Sequence, residues 1–208
     1  MSVLIAARSS SLEIGGVLAV GQEDDSLLCT KDELAHIKRH ARLIPYKELK
    51  NDKATPEAVL DAMAEYTSVH LACHGQQNPE LPSKSCFRLH NGDLTLEEIT
   101  KSSLKNKGLA FLSACQTATG DEGMPDEAVH LAAGMLVAGY PTVIATMWSI
   151  TDADAPTIAN RVYGELLKDG NLGDGRAARA LQAAVRDLRS EIGEERFYRW
   201  VPYIHLGV

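Results

Sequence analysis

Two short stretches hold the groups best suited to chemistry. HLACHG, residues 70–75, carries His70, Cys73 and His74, and LSACQTATG, residues 112–120, carries Cys115. A thiol beside an imidazole makes a nucleophile. Free cysteine has a pKa near ~8.5, so only about a few per cent is thiolate at neutral pH. An imidazole within reach takes the proton, and the imidazolium it becomes stabilises the thiolate. The same ring then protonates a leaving amine. Small residues flank Cys115, with Ala114 before it and Thr-Ala-Thr-Gly close after, so a substrate backbone has room to approach. Gly75 lets the chain turn sharply after His74. The backbone amides of Gly75 and Cys115 are the candidate donors to an oxyanion.

Which of these groups face one another depends on the elements that carry them. Short apolar runs rich in strand-forming residues occur at 16–20, 42–46, 68–73, 109–114 and 142–148. Several are apolar on both faces, as expected of central strands in a parallel sheet covered on both sides. Helical patterns alternate with them. Thr30 with Glu33 forms a capping box at the start of KDELAHIKRH, and Thr55-Pro56 opens EAVLDAMAEY. A short helix over Leu94 to Ile99 follows the Asn91-Gly92 turn, two longer amphipathic helices cover 152–168 and 175–192, and WVPYIHLGV reads as a last strand. The alternation predicts an α/β domain with right-handed crossovers.

His74 ends the third apolar run and Cys115 the fourth. In open α/β sheets, functional groups gather at the carboxyl ends of strands. Strand alternation sends residues 70, 72 and 74 to one face and 71 and 73 to the other. His70 is then a core imidazole with its polar atoms satisfied, and Cys73 packs as a small hydrophobe under a helix layer. The pair left for chemistry is His74 and Cys115.

The bulk numbers bound the function. A chain of 208 residues with 45% apolar and 24% charged residues suits one soluble domain with a full core. A net charge of −7 excludes nucleic-acid binding by phosphate neutralisation. The four cysteines, Cys29, Cys73, Cys86 and Cys115, come without a secretory signal or a Cys-x-x-Cys pair. Free thiols in a reducing cytoplasm are expected, with no metal and no cofactor. Residues 128–151 lack any charged side chain, a length able to span a bilayer. Gly139-Tyr140-Pro141 interrupts them, so a helix over 126–138 and a buried strand over 142–148 are expected, and no membrane span. GNLGDG (170–175) lies between two helices and reads as a turn, not a phosphate cradle. The acidic loop TGDEGMPDE (119–127) follows the nucleophile, and its Asp126 reads as a helix cap. Residues 1–14 read as a tail or boundary, and 15–208 as the domain.

HLACHG followed by LSACQTATG resembles the paired histidine and cysteine motifs of CHAT domains, caspase-like cysteine peptidases related to separase, gingipain and caspases. VLAVG fits the family's first strand, DEAVHLAAGMLVAGYPTVIATMWSITDAD its helix-strand-turn segment after the nucleophile, and WVPYIHLG its closing strand. The resemblance implies a caspase-like α/β fold, with a mostly parallel central sheet and helices on both faces. It implies a Cys-His dyad without required metal, in which His74 is the general base and Cys115 the nucleophile. It also implies endopeptidase activity on a protein or peptide substrate, in a regulated or defence-type pathway. CHAT domains often sit beside a sensor or TPR-type regulatory domain or partner, and no TPR pattern occurs in this sequence.

Ser149 to Asp154, after Trp148, resembles the tryptophan-and-acid segment of separase-like peptidases, in which an acid accepts a substrate arginine. Asp152 or Asp154 is therefore expected to read a basic residue before the cleaved bond. The bland reading is that one of them caps the helix running on through Pro156, and both roles are compatible. The same residues also admit a catalytically silent caspase-like binding module, or another Cys-dependent acyl hydrolase or transferase.

Overall fold

Val17–Gly21 (β1) is buried along its whole length, so it must be covered by packed layers on both faces. It is the second strand of a six-stranded sheet. In the computed structural model, which describes residues 15–24, 27–78, 80–113, 128–168 and 176–208, the order is β2-β1-β3-β7-β8-β9. The strands are β2 (Tyr46–Lys50), β3 (Ser68–Ala72), β7 (Leu109–Leu112), β8 (Thr142–Thr146) and β9 (Tyr203–Gly207). All neighbours pair parallel except β9, which runs antiparallel to β8 at the far edge. A small antiparallel sheet, β4 (His74–Gln76), β5 (Cys86–Leu89) and β6 (Gly92–Thr95), grows from the end of β3.

Two helical layers cover the sheet. One core joins Val69, Leu71 and Cys73 of the β3 region to Val59 and Met63 of α2 (Pro56–Glu65), Ile99 of α3 (Leu96–Lys101) and Met135 of α4 (Ala128–Val137). The other joins Phe111 and Ile144 to Ile37 of α1 (Thr30–His40), Val162 of α5 (Ala155–Leu166) and Leu181 of α6 (Arg176–Ile192). A short α7 (Phe197–Trp200) leads into β9. No helix among the described residues is long and apolar enough to cross a membrane. The uncharged stretch divides at Gly139, whose φ of 103° only glycine adopts readily. There the Gly139 amide donates to the Leu136 carbonyl (3.0 Å) and the Tyr140 amide to the Met135 carbonyl (3.1 Å), a Schellman closure of α4.

Strand alternation holds through HLACHG. Cys73 is fully buried in the first core, and burial pushes its thiol pKa up. His70 turns the other way. Its Nε2 donates to Glu33 at 3.0 Å and its Nδ1 accepts from the Tyr163 hydroxyl at 3.3 Å, so a single tautomer satisfies the ring. Phe111 packs against the same ring at 4.7 Å.

Three local expectations are corrected. The run at 42–46 is not a strand: residues 41–43 form a turn of 3-10 helix, Leu43 is exposed, and β2 begins at Tyr46. An edge strand buries only part of its surface, so YKELK carried little apolar signal. Thr30 and Glu33 make no capping box. The helix starts at Thr30 with Cys29 at the cap position, and Glu33 is drawn inward to His70. Leu94 belongs to β6, and the capping box of α3 lies at Thr95 and Glu98. GNLGDG, the acidic loop with Asp126, and residues 1–14 lie outside the described residues.

The two buried polar sites in β3 and its exit make stability predictions. Glu33→Ala leaves the His70 ring nitrogen buried without its acceptor. Urea unfolding should show a loss of about 1–3 kcal/mol. Cys73→Ser puts a hydroxyl into an apolar core and should cost about 1 kcal/mol or more by the same measurement. An unchanged midpoint in either variant would contradict the assignment.

Candidate active site

The chain passes from β1 outward to β2, then returns to place β3 on the other side of β1. Such a reversal opens a crevice at the carboxyl ends of the strands. The continuation of β1 runs along it. The Gln22 amide donates to the Ala72 carbonyl at 3.0 Å, extending the β1–β3 pairing. The Gln22 side chain donates to the Asn51 carbonyl at 3.1 Å, and the Glu23 amide to the Asn51 side chain at 3.0 Å. The segment is thereby tied to the ends of both neighbouring strands. Asp24 follows, and its Oδ2 lies 2.7 Å from His74 Nε2.

His74 leaves the end of β3 and begins β4, opposite Arg88. Its side chain is 14% exposed and that of Asp24 48% exposed. A pair this open to solvent adds little to stability. Its effect is orientation. In the neutral ring, the contact puts the proton on Nε2 and the basic lone pair on Nδ1. Gly75, next in the chain, is buried opposite Phe87.

The other end of the β1–α1 segment reaches across to the loop after β8. The Cys29 amide donates to Asp152 Oδ2 at 2.7 Å. The Cys29 thiol also bonds to this carboxylate, and that bond, with burial, pushes its pKa up to about 11. Asp154 has a different environment. It is buried at the start of α5, where its side chain makes no cap bond. Both its oxygens instead accept from Arg199, Oδ2 from Nε at 2.8 Å and Oδ1 from Nη2. Trp148 is half-buried, and its indole donates to the Tyr198 carbonyl at 2.9 Å.

Among the residues expected from sequence, His74 stands at the strand edge, with Gly75 beside it. Asp152 joins the same edge through the β1–α1 segment, and Asp154 is engaged by Arg199. Cys115 lies outside the described residues, shortly after the end of β7 in the chain. Asp24 and Cys29 were missed. For Asp24 a signal existed: it follows the first apolar run in VGQEDD, the same end-of-strand position that singled out His74. Among the described residues, no three histidine, cysteine or acidic side chains cluster as metal ligands.

Comparison with known proteins gives the family and the fold. A family model described as the CHAT domain matches residues 3–208, starting within the segment read as a tail. The separin of Emericella nidulans is 27% identical over 187 residues, which is 79% of this chain but 9% of that protein. Among solved structures, the arginine-specific cysteine proteinase gingipain R superposes with a TM-score of 0.64 at 12% identity, covering 96% of this chain and 47% of that one. Separase in the Saccharomyces cerevisiae separase–securin complex gives a TM-score of 0.61 at 15% identity, covering 95% of this chain and 12% of that one. The chain thus spans less than half of each of these three proteins. The fold is the caspase-like α/β fold of gingipain and separase, and the chain belongs to the CHAT domain family.

Proposed function

We propose that this chain is a cysteine endopeptidase in which Cys115 attacks the scissile carbonyl and His74 is the base. The observation that carries the proposal is His74, held by Asp24 at the strand edge of a CHAT domain. Asp24 is a positioning residue: it fixes the imidazole with Nδ1 as the proton acceptor. The Cys115 thiol gives its proton to His74, and the thiolate adds to the carbonyl. The backbone amides of Gly75 and Cys115 stabilise the oxyanion. The imidazolium then protonates the departing amine, leaving an acyl-enzyme that water hydrolyses with His74 again as base.

The cleavage preference follows from the two acids after β8. Asp154 is already paired through both oxygens with Arg199, so a substrate guanidinium would have to displace an internal one. Among the described residues, Asp152 receives the amide and thiol of Cys29 and no guanidinium, which supports it as the acid that reads a basic P1 residue. The substrate is then a protein or peptide cut after arginine or lysine. A regulatory pathway and a sensor or TPR-type partner complete the reading.

Three outcomes are expected. Cys115→Ala and His74→Ala should each abolish cleavage of a fluorogenic peptide library while circular dichroism stays native. Asp24→Ala should lower kcat by about ten- to a hundred-fold with KM little changed. Asp24→Asn, which keeps an acceptor for Nε2, should recover part of that loss. Full activity in folded Cys115→Ala would reject the dyad and favour a silent binding module or a different chemistry.

The second outcome concerns thiol reactivity. Cys29 and Cys86 are each pushed up to about 11, Cys29 first by its bond to Asp152 and Cys86 by burial, and buried Cys73 is also raised. Near neutral pH, fewer than about one in a thousand of the Cys29 and Cys86 thiols is then thiolate. A brief iodoacetamide pulse followed by mass spectrometry should label Cys115 first. Faster labelling of Cys29 or Cys86 would count against the assignment.

The third is the P1 profile. Asp152→Asn should lower kcat/KM for arginine peptides by about two to three orders of magnitude. Asp154→Asn should lower stability more than it changes the profile. A wild-type preference for acidic or small apolar P1 residues would end the specificity proposal.

A further inference from the structure

Away from the strand edge, one face of α6 carries a stripe of arginines. Arg179, Gln182, Arg186 and Arg189 follow helical spacing on the side opposite Ala177, Ala184 and Leu188, which are buried in the core. With Trp200 of α7, this face lines a groove of about 520 Å³, and none of the residues lining it is acidic. The Arg189 guanidinium lies over the Trp200 ring, 5.1 Å from its centroid. The Trp200 indole N–H is buried and makes no hydrogen bond among the described residues.

The acids beside Arg186 and Arg189 do not close the groove. Asp187 contacts Arg186 at 3.2 Å, and Glu194 contacts Arg189, but both pairs are largely exposed. Exposed pairs of this type are worth little and exchange easily for a bidentate carboxylate. The stripe also stands out because the chain as a whole carries a net charge of −7.

We infer that this groove binds an acidic segment of a protein partner. Carboxylates pair with Arg186 and Arg189, and an apolar side chain packs on Trp200. The helix rises ~1.5 Å per residue, so Arg179 to Arg189 spans ~15 Å, the reach of about five extended peptide residues. A nucleic acid fits less well, because the acidic remainder of the chain repels a polyanion. The short helix α7 links the groove to the segment after β8. Trp200 walls the groove, while Arg199 and Tyr198 of the same helix bond to Asp154 and Trp148. Binding can be tested whether or not the chain cleaves peptides.

The test is fluorescence anisotropy of the full chain at low salt. The probe is a labelled peptide of about six residues alternating glutamate with leucine, matched to the span of the stripe. A glutamine-for-glutamate counterpart and a single-stranded oligonucleotide serve as comparison probes. The glutamate peptide should bind and should shift tryptophan emission in a Trp148→Phe background, where Trp200 is the remaining tryptophan. Arg186→Glu and Arg189→Glu should each weaken binding about tenfold or more, while Lys84→Glu, the same charge change outside the groove, should not. Arg186 is an exposed side chain, so its variant keeps the fold if Arg189→Glu does not. Failure of the glutamate peptide to bind, equal binding of the glutamine peptide, preference for the oligonucleotide, or full affinity in Arg186→Glu would overturn the inference.

Discussion

The segment between β1 and α1 is held at both ends by the side chains it has to position. At one end Asp24 meets His74, which leaves β3. At the other, the amide and thiol of Cys29 grip Asp152, which follows β8. Between β3 and β8 lies β7, from whose end the chain runs on to Cys115. A parallel sheet delivers three successive carboxyl ends to one edge, but that alone does not fix side chains. The β1–α1 segment supplies the missing constraint. It is itself tied down by Gln22 and Glu23, bonded to Ala72 and Asn51.

The polar contacts divide by depth, and depth decides what each one does. The Glu33–His70–Tyr163 network is fully enclosed, so every atom needs a partner, and its loss is felt as stability. It is anchored at His70 within β3 and fixes the strand that leads to His74. The Asp154–Arg199 pair is also buried and clamps α7 to the start of α5. Asp24–His74 is the opposite case. With its carboxylate half in water, it contributes little to folding, yet it selects which ring nitrogen is basic. A contact that matters for orientation rather than stability is what the proposed dyad requires.

Much of this was legible in the residues. Runs such as GVLAV and LAFL, apolar on both faces, marked central strands, and the Gly139-Tyr140-Pro141 break separated helix from strand. His70 and His74 were told apart by strand position, one inside the strand and one at its end, and alternation set Cys73 apart from both. What escaped was held by partners distant in sequence. Glu33 looked like a cap residue until the buried ring of His70, itself far along the chain, drew it inward. Asp152 and Asp154 are indistinguishable as neighbouring acids, and only Arg199 and Cys29, each remote from them, separate their environments. The edge strand YKELK buries too little to print an apolar pattern, and β4, β5 and β6, at 3, 4 and 4 residues, are too short to show one.

The claim at the centre is that Cys115 and His74 form one reactive unit. Covalent trapping tests it most directly: wild type and His74→Ala are treated with a peptidyl-arginine chloromethyl ketone, and the modified residue is mapped by mass spectrometry. The account predicts one adduct, on Cys115, which forms rapidly in wild type and is lost or greatly slowed in folded His74→Ala. An adduct on Cys29, Cys73 or Cys86, or a Cys115 adduct formed at the same rate without His74, would contradict it.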